Sequence, residues 1–315
     1  MQVNKAFKSD SQRLALSLRS SIAKRRSHLN AALNFDEVSM AQFKDMETEE
    51  GMLLWRECFK KHIEILHTHE INIRNCGFER PIKLYPLLAA IIEDSISLDI
   101  LATHSRINQC YVISRALLER VINLSYLLYS SEEEYSSFVE YTKNKAARSL
   151  SRKIEIDGVE KVRLNFANEN YQLSEDYSKA VERFTSPNGR EIPRWTKLNI
   201  DKRADFLDKK SGKNLLLHVL MIYADASETL HGTLYGALFH LGIFVPGTDL
   251  DSAAEQNKQK FNSLSFLYFM ASSAIGTLLF CFREHGVDLS DAYEEADNIF
   301  NLAAEESGLA HEARQ

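Results

Sequence analysis

The chain has 315 residues, of which 44% are hydrophobic, and its formal net charge at pH 7 is −6. This length and composition suit one large domain, or a core domain with a smaller appendage. The acidic balance argues against a nucleic-acid coat protein, because contacts to phosphates demand a basic surface.

The first thirty residues are an exception to the acidic balance. A helix is predicted over 9–33, and in this segment Asp10 is the single acid. The basic residues of the segment are Lys5, Lys8, Arg13, Arg19, Lys24, Arg25 and Arg26. We expect either a solvated amphipathic helix or a basic arm that binds RNA, DNA or a partner protein.

Long helices are permitted along the rest of the chain, because only five prolines occur and glycine is sparse. No convincing strand alternation is visible, so the predicted fold is all-α, with an antiparallel helical bundle and negligible strand content. The further predicted helices cover 38–75, 85–104, 106–130, 132–153, 159–184, 199–210, 213–243, 256–285 and 288–307. Gly232 allows a bend within the helix over 213–243.

The domain organisation follows from the loop signals between these helices. Residues 1–78 are predicted to hold the N-terminal basic helix and the long helix that follows it. Residues 79–310 are predicted to form a helical-bundle core, built from helix pairs near 85–130 and 213–285. A polar excursion at about 131–212 is expected to pack on the side of that core.

The segment from Phe261 to Phe282 is apolar and lacks a formal charge. It is long enough to span the hydrocarbon of a membrane. However, serine, threonine and asparagine side chains interrupt it, and it lacks a strong basic flank of the kind that sets topology. We therefore expect a buried central helix and no membrane association.

The four cysteines are scattered along the chain without any C-x-x-C pair. This spacing argues against a disulfide framework and against a thiolate zinc site. Reduced core thiols are typical of a cytoplasmic protein, which is the localisation we expect. No phosphate-binding glycine loop or dinucleotide fingerprint is present, so no cofactor is predicted.

Two polar rows on otherwise apolar helices form the main candidate site. Arg115 and Glu119 are four residues apart, and Tyr223, Ser227 and His231 follow each other at the same step. Residues four apart lie on one face of a helix, so each row makes a polar face. Polar groups in an apolar helix need partners, and the two rows are expected to satisfy each other.

This constellation has a functional and a structural interpretation. An arginine that holds an anion, beside a histidine and hydroxyl donors, suits phosphate recognition or general acid–base chemistry. Alternatively, the same side chains form a buried polar network that fixes the register of the helices. The spacing of the residues agrees with both interpretations.

A second candidate site lies in the predicted helix over 38–75. Arg56 and His62 match the R-x(4–6)-H spacing by which helical nucleases of the HEPN type handle a scissile phosphate. Random occurrence of this short pattern is expected in a chain with this many arginines and histidines. Arg56 and His62 are therefore an alternative catalytic pair.

A di-metal helical-bundle enzyme is a further alternative. Two E-x-x-H motifs, Glu64 to His67 and Glu228 to His231, occur together with Glu93 and Glu119 on other predicted helices. Such residues are the ligands of di-iron carboxylate bundles. Their order along the chain differs from the usual repeat of a Glu followed by E-x-x-H, so no metal site is assigned.

Residues 114–127, with the pattern R-x-L-x-E followed by I-x-L-x-Y-L, resemble a large family of bacterial all-helical proteins of unknown function. Members carry a tryptophan further on, here Trp195, and a helix ending in Y-x-x-x-S-x-x-x-H, here Tyr223, Ser227 and His231. The resemblance covers about residues 50–245.

This family is distantly similar to HEPN proteins, which implies a HEPN-like bundle core to which N- and C-terminal helices are added. It also implies a homodimer and an association with a toxin–antitoxin or phage-defence module, with a cognate antitoxin or defence protein as partner. In contrast to catalytic HEPN proteins, no arginine precedes His231 at the required spacing. We therefore expect an effector that binds or cleaves RNA, or a non-catalytic regulatory protein of such a module.

Overall fold

A computed structural model of the chain describes residues 46–76, 79–166, 172–237 and 252–307. Most of these residues are helical, and one two-stranded sheet occurs among them. The predicted all-α fold and helical bundle are thus confirmed. The described residues divide into two compact units, which we call the bundle unit (46–125 with 204–307) and the side unit (126–203).

The described part of the bundle unit consists of helices and the loops that connect them. Two of its helices, α4 and α7, also contribute residues to the side unit. Its helices are α1 (Glu49–Thr68), α2 (Glu70–Asn75), α3 (Glu79–Thr103), α4 (Ile107–Tyr129), α7 (Ile200–Ser211), α8 (Leu215–His218), α9 (Ala224–Leu230), α10 (Leu234–Ala237), α11 (Ala253–Glu284) and α12 (Ser290–Glu306). A π-helical segment, Val219–Tyr223, joins α8 to α9.

Helix α11 is the centre of the bundle unit and packs against α1, α3 and α12. Aromatic rings fill the space between these helices. The Trp55 ring lies 4.9 Å from that of Phe269 and 5.5 Å from that of Phe300, in edge-on geometry. Trp55 is fully buried, so this cluster stabilises the core by removing a large apolar area from water.

Among the described helices, α11 alone is long and apolar enough to cross a membrane. In the structure, 72% of its most apolar stretch is buried inside the protein. The segment Phe261–Phe282 belongs to this helix. Its small and apolar side chains therefore contact the neighbouring helices of the bundle.

The side unit contains α5 (Glu132–Ser149), the strands β1 (Ser151–Ile156) and β2 (Val159–Asn165), and α6 (Glu175–Arg183). Helix α5 begins at Ser131, whose hydroxyl accepts a hydrogen bond from the Glu134 amide. The Glu134 carboxylate accepts hydrogen bonds from Tyr126, at 2.7 Å, and from Thr196, at 3.1 Å. Glu134 thereby ties the end of α4 to the loop that follows α6.

The predicted helices over 132–153 and 159–184 are wrong between residues 151 and 165, where the chain forms the antiparallel hairpin β1–β2. Asp157 and Gly158 make its two-residue turn, and both have positive φ. Turns of this type match the twist of paired strands, which favours a hairpin over a continued helix. The side unit shares residues 131–203 with the predicted polar excursion.

The helix predicted over 213–243 is interrupted in the structure. Helix α9 ends at Leu230, and His231 caps its end. Gly232 has a φ of +65°, which ends the helical path, and α10 begins at Leu234. Residues 238–243 lie outside the described part of the chain.

Candidate functional site

The Arg115 guanidinium is held between two side chains of the helical segment 219–230. Its Nη1 donates a hydrogen bond of 2.9 Å to the Ser227 Oγ. Its central carbon lies 4.0 Å from the centre of the Tyr223 ring, a close cation–π contact. All three residues are half-buried, so none of them is fully removed from solvent.

The Ser227 hydroxyl is fixed as an acceptor for Arg115. Its own proton is donated to the Tyr223 carbonyl oxygen at 2.6 Å, one turn earlier in the chain. The lone pairs of the Ser227 oxygen are therefore free to accept from a neighbouring helix. Arg115 carries five N–H donors, and the hydrogen bond to Ser227 uses one of them.

The backbone of the segment has two unusual features at this point. Tyr223 is the last residue of the π-helical segment, a rare geometry that is frequent at functional sites. Further on, a methyl group on Gly236 would overlap the backbone of Glu228 and Thr229. Gly236 therefore allows α10 to fold closely back onto α9.

Helix α4 is joined to this segment by a few side-chain contacts. Asn108 donates a hydrogen bond of 3.3 Å to the Ala237 carbonyl oxygen. Burial raises the pKa of Tyr111, and the nearby Asp225 carboxylate raises it further. Asn108 and Arg115 thus bond α4 to α10 and to α9, respectively.

The two predicted polar rows come into contact through Arg115 of one row and through Tyr223 and Ser227 of the other. Glu119 is half-buried and makes no hydrogen bond or ion pair with any residue in the described part of the chain. His231 is exposed at the end of α9. In the described part of the chain, neither side chain forms a hydrogen bond or ion pair with Arg115, whose hydrogen bond goes to Ser227. Tyr111 and Asn108 were not predicted from the sequence, although Tyr111 lies four residues, about one helical turn, before Arg115.

The alternative pair, Arg56 and His62, is on α1, but its side chains have different surroundings. Arg56 forms a two-pronged ion pair with Asp99, with contacts of 2.6 and 3.0 Å, and this hydrogen bonding raises the pKa of Arg56. His62 is 1% exposed, and its Nδ1 lies 2.8 Å from the Cys58 carbonyl oxygen. Burial lowers the pKa of His62 to about 4. The structure thus places His62 in the core, as a neutral side chain.

The residues of the metal alternative are not brought together. Glu64 is exposed and pairs with Lys61 at 2.7 Å, and His67 faces Glu70 at 3.2 Å. Within the described ranges, no group of three or more histidine, cysteine or acidic side chains is placed to hold a metal ion. The basic residues of the N-terminal segment, Lys5 to Arg26, lie outside the described residues.

Comparison with known proteins places the site within one family. No curated protein and no solved structure matches the chain. Residues 83–247, more than half of the chain, match a family whose description is "Family of unknown function (DUF5677)". The matched region includes Arg115, Tyr223 and Ser227, whereas Arg56 lies before it. The chain therefore belongs to the DUF5677 family.

Proposed function

We propose that the protein is a cytoplasmic, HEPN-like bacterial effector that binds RNA at the Arg115 site. The observation that supports this most is the Arg115 side chain, whose guanidinium lies over the Tyr223 ring and is bonded to Ser227 in a residue that is not fully buried. An arginine fixed in this way recognises a phosphate at little cost in conformational entropy.

The chemistry of the site favours a phosphate ligand. The free N–H donors of Arg115 form a planar fork that fits two phosphate oxygens at once. The Tyr223 ring restricts the position of this fork, because the guanidinium is attracted to the face of the aromatic ring. RNA provides such phosphates in a regular series, which agrees with the resemblance to HEPN proteins.

Binding requires Arg115, whereas cleavage requires a further group that transfers protons. His231 lies one turn beyond Ser227, and its exposed imidazole is the side chain we assign to this step. A general base is normally oriented by a third group. Glu119 was expected to do this, but it does not contact His231 in the described structure.

This absence of an orienting carboxylate favours the second candidate function. In that alternative the protein binds RNA or a cognate protein of a defence or toxin–antitoxin module without catalysis. The Arg115 site would then have a regulatory role, and His231 would have none. Where the ligand is RNA, both candidates share the same phosphate contact, so comparison of the wild type with one variant separates them.

The experiment compares the wild type with His231→Ala in two assays on one single-stranded RNA. Filter binding measures affinity, and gel electrophoresis measures cleavage. Because His231 is exposed, its loss is expected to leave folding unchanged. If the protein is an enzyme, the wild type cleaves the RNA, whereas His231→Ala binds it without cleavage. If the protein is regulatory, both the wild type and His231→Ala bind the RNA and neither cleaves it. Absence of RNA binding by both proteins contradicts the proposal.

The assignment to a defence or toxin module is tested by induced expression in bacteria. Growth arrest with the wild type that is lost in His231→Ala supports a catalytic toxin. Growth arrest that persists in His231→Ala supports action by binding alone. Unimpaired growth with both proteins contradicts a toxin that acts alone.

A further inference from the structure

The hairpin β1–β2 of the side unit is exposed on both faces. Every residue of its two strands is exposed. A lone two-stranded hairpin is marginally stable in water and normally needs a packed face. Its turn is nevertheless well encoded, since Asp157 and Gly158 have the positive φ values of 53° and 75° that this tight turn requires.

The strand register separates apolar from charged side chains. Ile154 pairs with Val162, and Ile156 pairs with Val159. Paired residues of antiparallel strands point to the same face. Val159 and Val162 are three apart, and the irregularity in pairing after Ile154 keeps both on one face. The opposite face carries Ser151, Lys153, Glu155, Glu160, Arg163 and Asn165.

We call the apolar side of this hairpin the hairpin face. It comprises Ile154, Ile156, Val159, Val162 and Leu164, which are between 48% and 57% exposed. Phe166 extends it, because its amide bonds the Leu150 carbonyl oxygen at 2.8 Å and continues the ladder, and it is 67% exposed. These side chains together expose roughly 600 Å², which is a large apolar patch for a protein of this size.

We propose that the hairpin face binds the hairpin face of a second copy of this chain, across a twofold axis. The area supports a second copy as the occupant. Two such faces bury about 1,200 Å² in total, which reaches the smallest stable protein–protein interfaces. A twofold interface uses the same patch on both copies, so one apolar face is sufficient to build it.

The charge distribution also favours an identical partner. A second copy brings the same charges to the interface, and like charges repel each other. A surface therefore pairs well with its own copy when it carries few charges. Arg152, opposite Leu164 at the base of the hairpin, is the one charged residue among the paired residues of the hairpin face, and Lys161 lies unpaired at the irregularity. The face-to-face arrangement leaves the charged side in water, whereas pairing through strand edges leaves the apolar side chains exposed.

This dimer is independent of RNA binding at Arg115. The hairpin face lies in the side unit, and Arg115 belongs to the bundle unit. The test therefore uses no RNA. If RNA binding fails while the dimer forms, the proposed function is wrong and the interface stands.

The experiment measures the mass of the full-length protein by light scattering at micromolar concentration. Val162→Glu places a charge in the middle of the hairpin face. Asn165→Glu is the matched control, because it adds the same charge to the opposite face of the same strand. We expect twice the chain mass of 36.0 kDa for the wild type and the control, and a single chain mass for Val162→Glu.

Two outcomes overturn the proposal. A wild type that is monomeric does so, and so does a dimer that Val162→Glu leaves intact. Hydrogen exchange of the hairpin amides gives a second reading on the same samples. If the hairpin face is the dimer interface, these amides exchange faster once dilution has separated the dimer into monomers. Protection that is independent of concentration means that another part of the same chain covers the face, which also contradicts a second copy.

Discussion

The Arg115 guanidinium carbon lies 4.0 Å from the centre of the Tyr223 ring. This contact joins α4 to the π-helical segment that precedes α9. The hydrogen bond to Ser227 uses one of the five N–H donors of Arg115, and the other donors suit a phosphate. Tyr223 is therefore a positioning residue for Arg115 in the proposed RNA site.

Replacement of the Tyr223 ring tests this role. Tyr223→Leu removes the face on which the guanidinium is stacked, whereas Tyr223→Phe keeps it. A half-exposed cation–π contact is worth about 0.5–1 kcal/mol, so Tyr223→Leu should weaken RNA binding about two- to fivefold. Tyr223→Phe should bind as the wild type does. Fluorescence anisotropy with a labelled RNA measures both, and equal losses in the two variants would assign the effect to the hydroxyl.

Removal of Glu119 should have little effect on stability. Arg115 is bonded to Ser227 at 2.9 Å, so it keeps a partner in Glu119→Ala. We expect the free energy of unfolding to change by less than about 1 kcal/mol. Urea denaturation measures this change. A loss of about 3 kcal/mol or more would mean that Glu119 neutralises a buried charge, as a structural polar network would require.

Stability should fall as the pH falls, because two histidines are buried as neutral side chains. Burial lowers the pKa of both His62 and His218 from 6.5 to about 4. The unfolded chain then binds protons that the folded chain does not, from about pH 6.5 downward. The stabilisation is complete above pH 6.5 and is lost progressively toward pH 4, by up to about 3 kcal/mol for each histidine.

His218→Leu tests the contribution of one of these groups. The His218 Nδ1 is buried without a hydrogen-bond partner, so leucine removes a titrating group without breaking a bond of that atom. The fall in melting temperature between pH 7.5 and pH 5 should be smaller in this variant. His104→Gln, at an exposed position, is the control and should leave the pH dependence unchanged. An unchanged pH dependence in His218→Leu would contradict the assignment.

The ion pair of Arg56 and Asp99 should be structural. Both side chains are largely buried, with 27% and 19% of their areas exposed, and the Tyr268 hydroxyl also donates to Asp99 at 3.2 Å. Asp99→Ala leaves Arg56 without its partner and should lower the free energy of unfolding by about 2–3 kcal/mol. Chemical denaturation measures the loss. Glu57→Ala is the control, because it removes an exposed carboxylate from α1, the helix of Arg56. It should lower the free energy of unfolding by less than about 0.5 kcal/mol.

The same ion pair bears on the alternative catalytic pair, Arg56 and His62. If Arg56 is structural, Arg56→Ala should lose function and stability together. A variant that melts as the wild type does but loses RNA cleavage would restore Arg56 as a catalytic residue. The comparison is made at a temperature well below both melting points, so that unfolding does not contribute.

The sequence predicted the helices well where apolar residues recur at helical spacing, as in α4 and α11. It failed at the hairpin, because charged residues on one strand face resemble the polar side of an amphipathic helix. The available signal was Asp157-Gly158 between short alternating runs, which is typical of a tight hairpin turn. A hairpin with both faces exposed lacks the buried pattern by which strands are usually recognised.

The candidate site was predicted in part. The four-residue spacing correctly placed Tyr223 and Ser227 on one face toward Arg115. The same spacing did not determine the surroundings of His231, because the helix ends there and Gly232 redirects the chain. Spacing also assigned Glu119 as a partner, although Ser227 accepts the hydrogen bond from Arg115. Periodicity describes faces within a helix but not the point at which the helix stops.

The most direct test of the account is the RNA affinity of Arg115→Gln, measured over a range of salt concentrations. Loss of a charged hydrogen bond to phosphate should weaken binding about tenfold or more. The slope of log affinity against log salt should also decrease by about 0.7, the value for one contact to a single strand. Lys202→Gln removes an equal charge at an exposed position of the side unit and serves as the control. The account predicts that Lys202→Gln keeps the affinity and salt slope of the wild type and that Arg115→Gln does not. If Arg115→Gln also keeps both, Arg115 does not contact a phosphate and the proposed site is wrong.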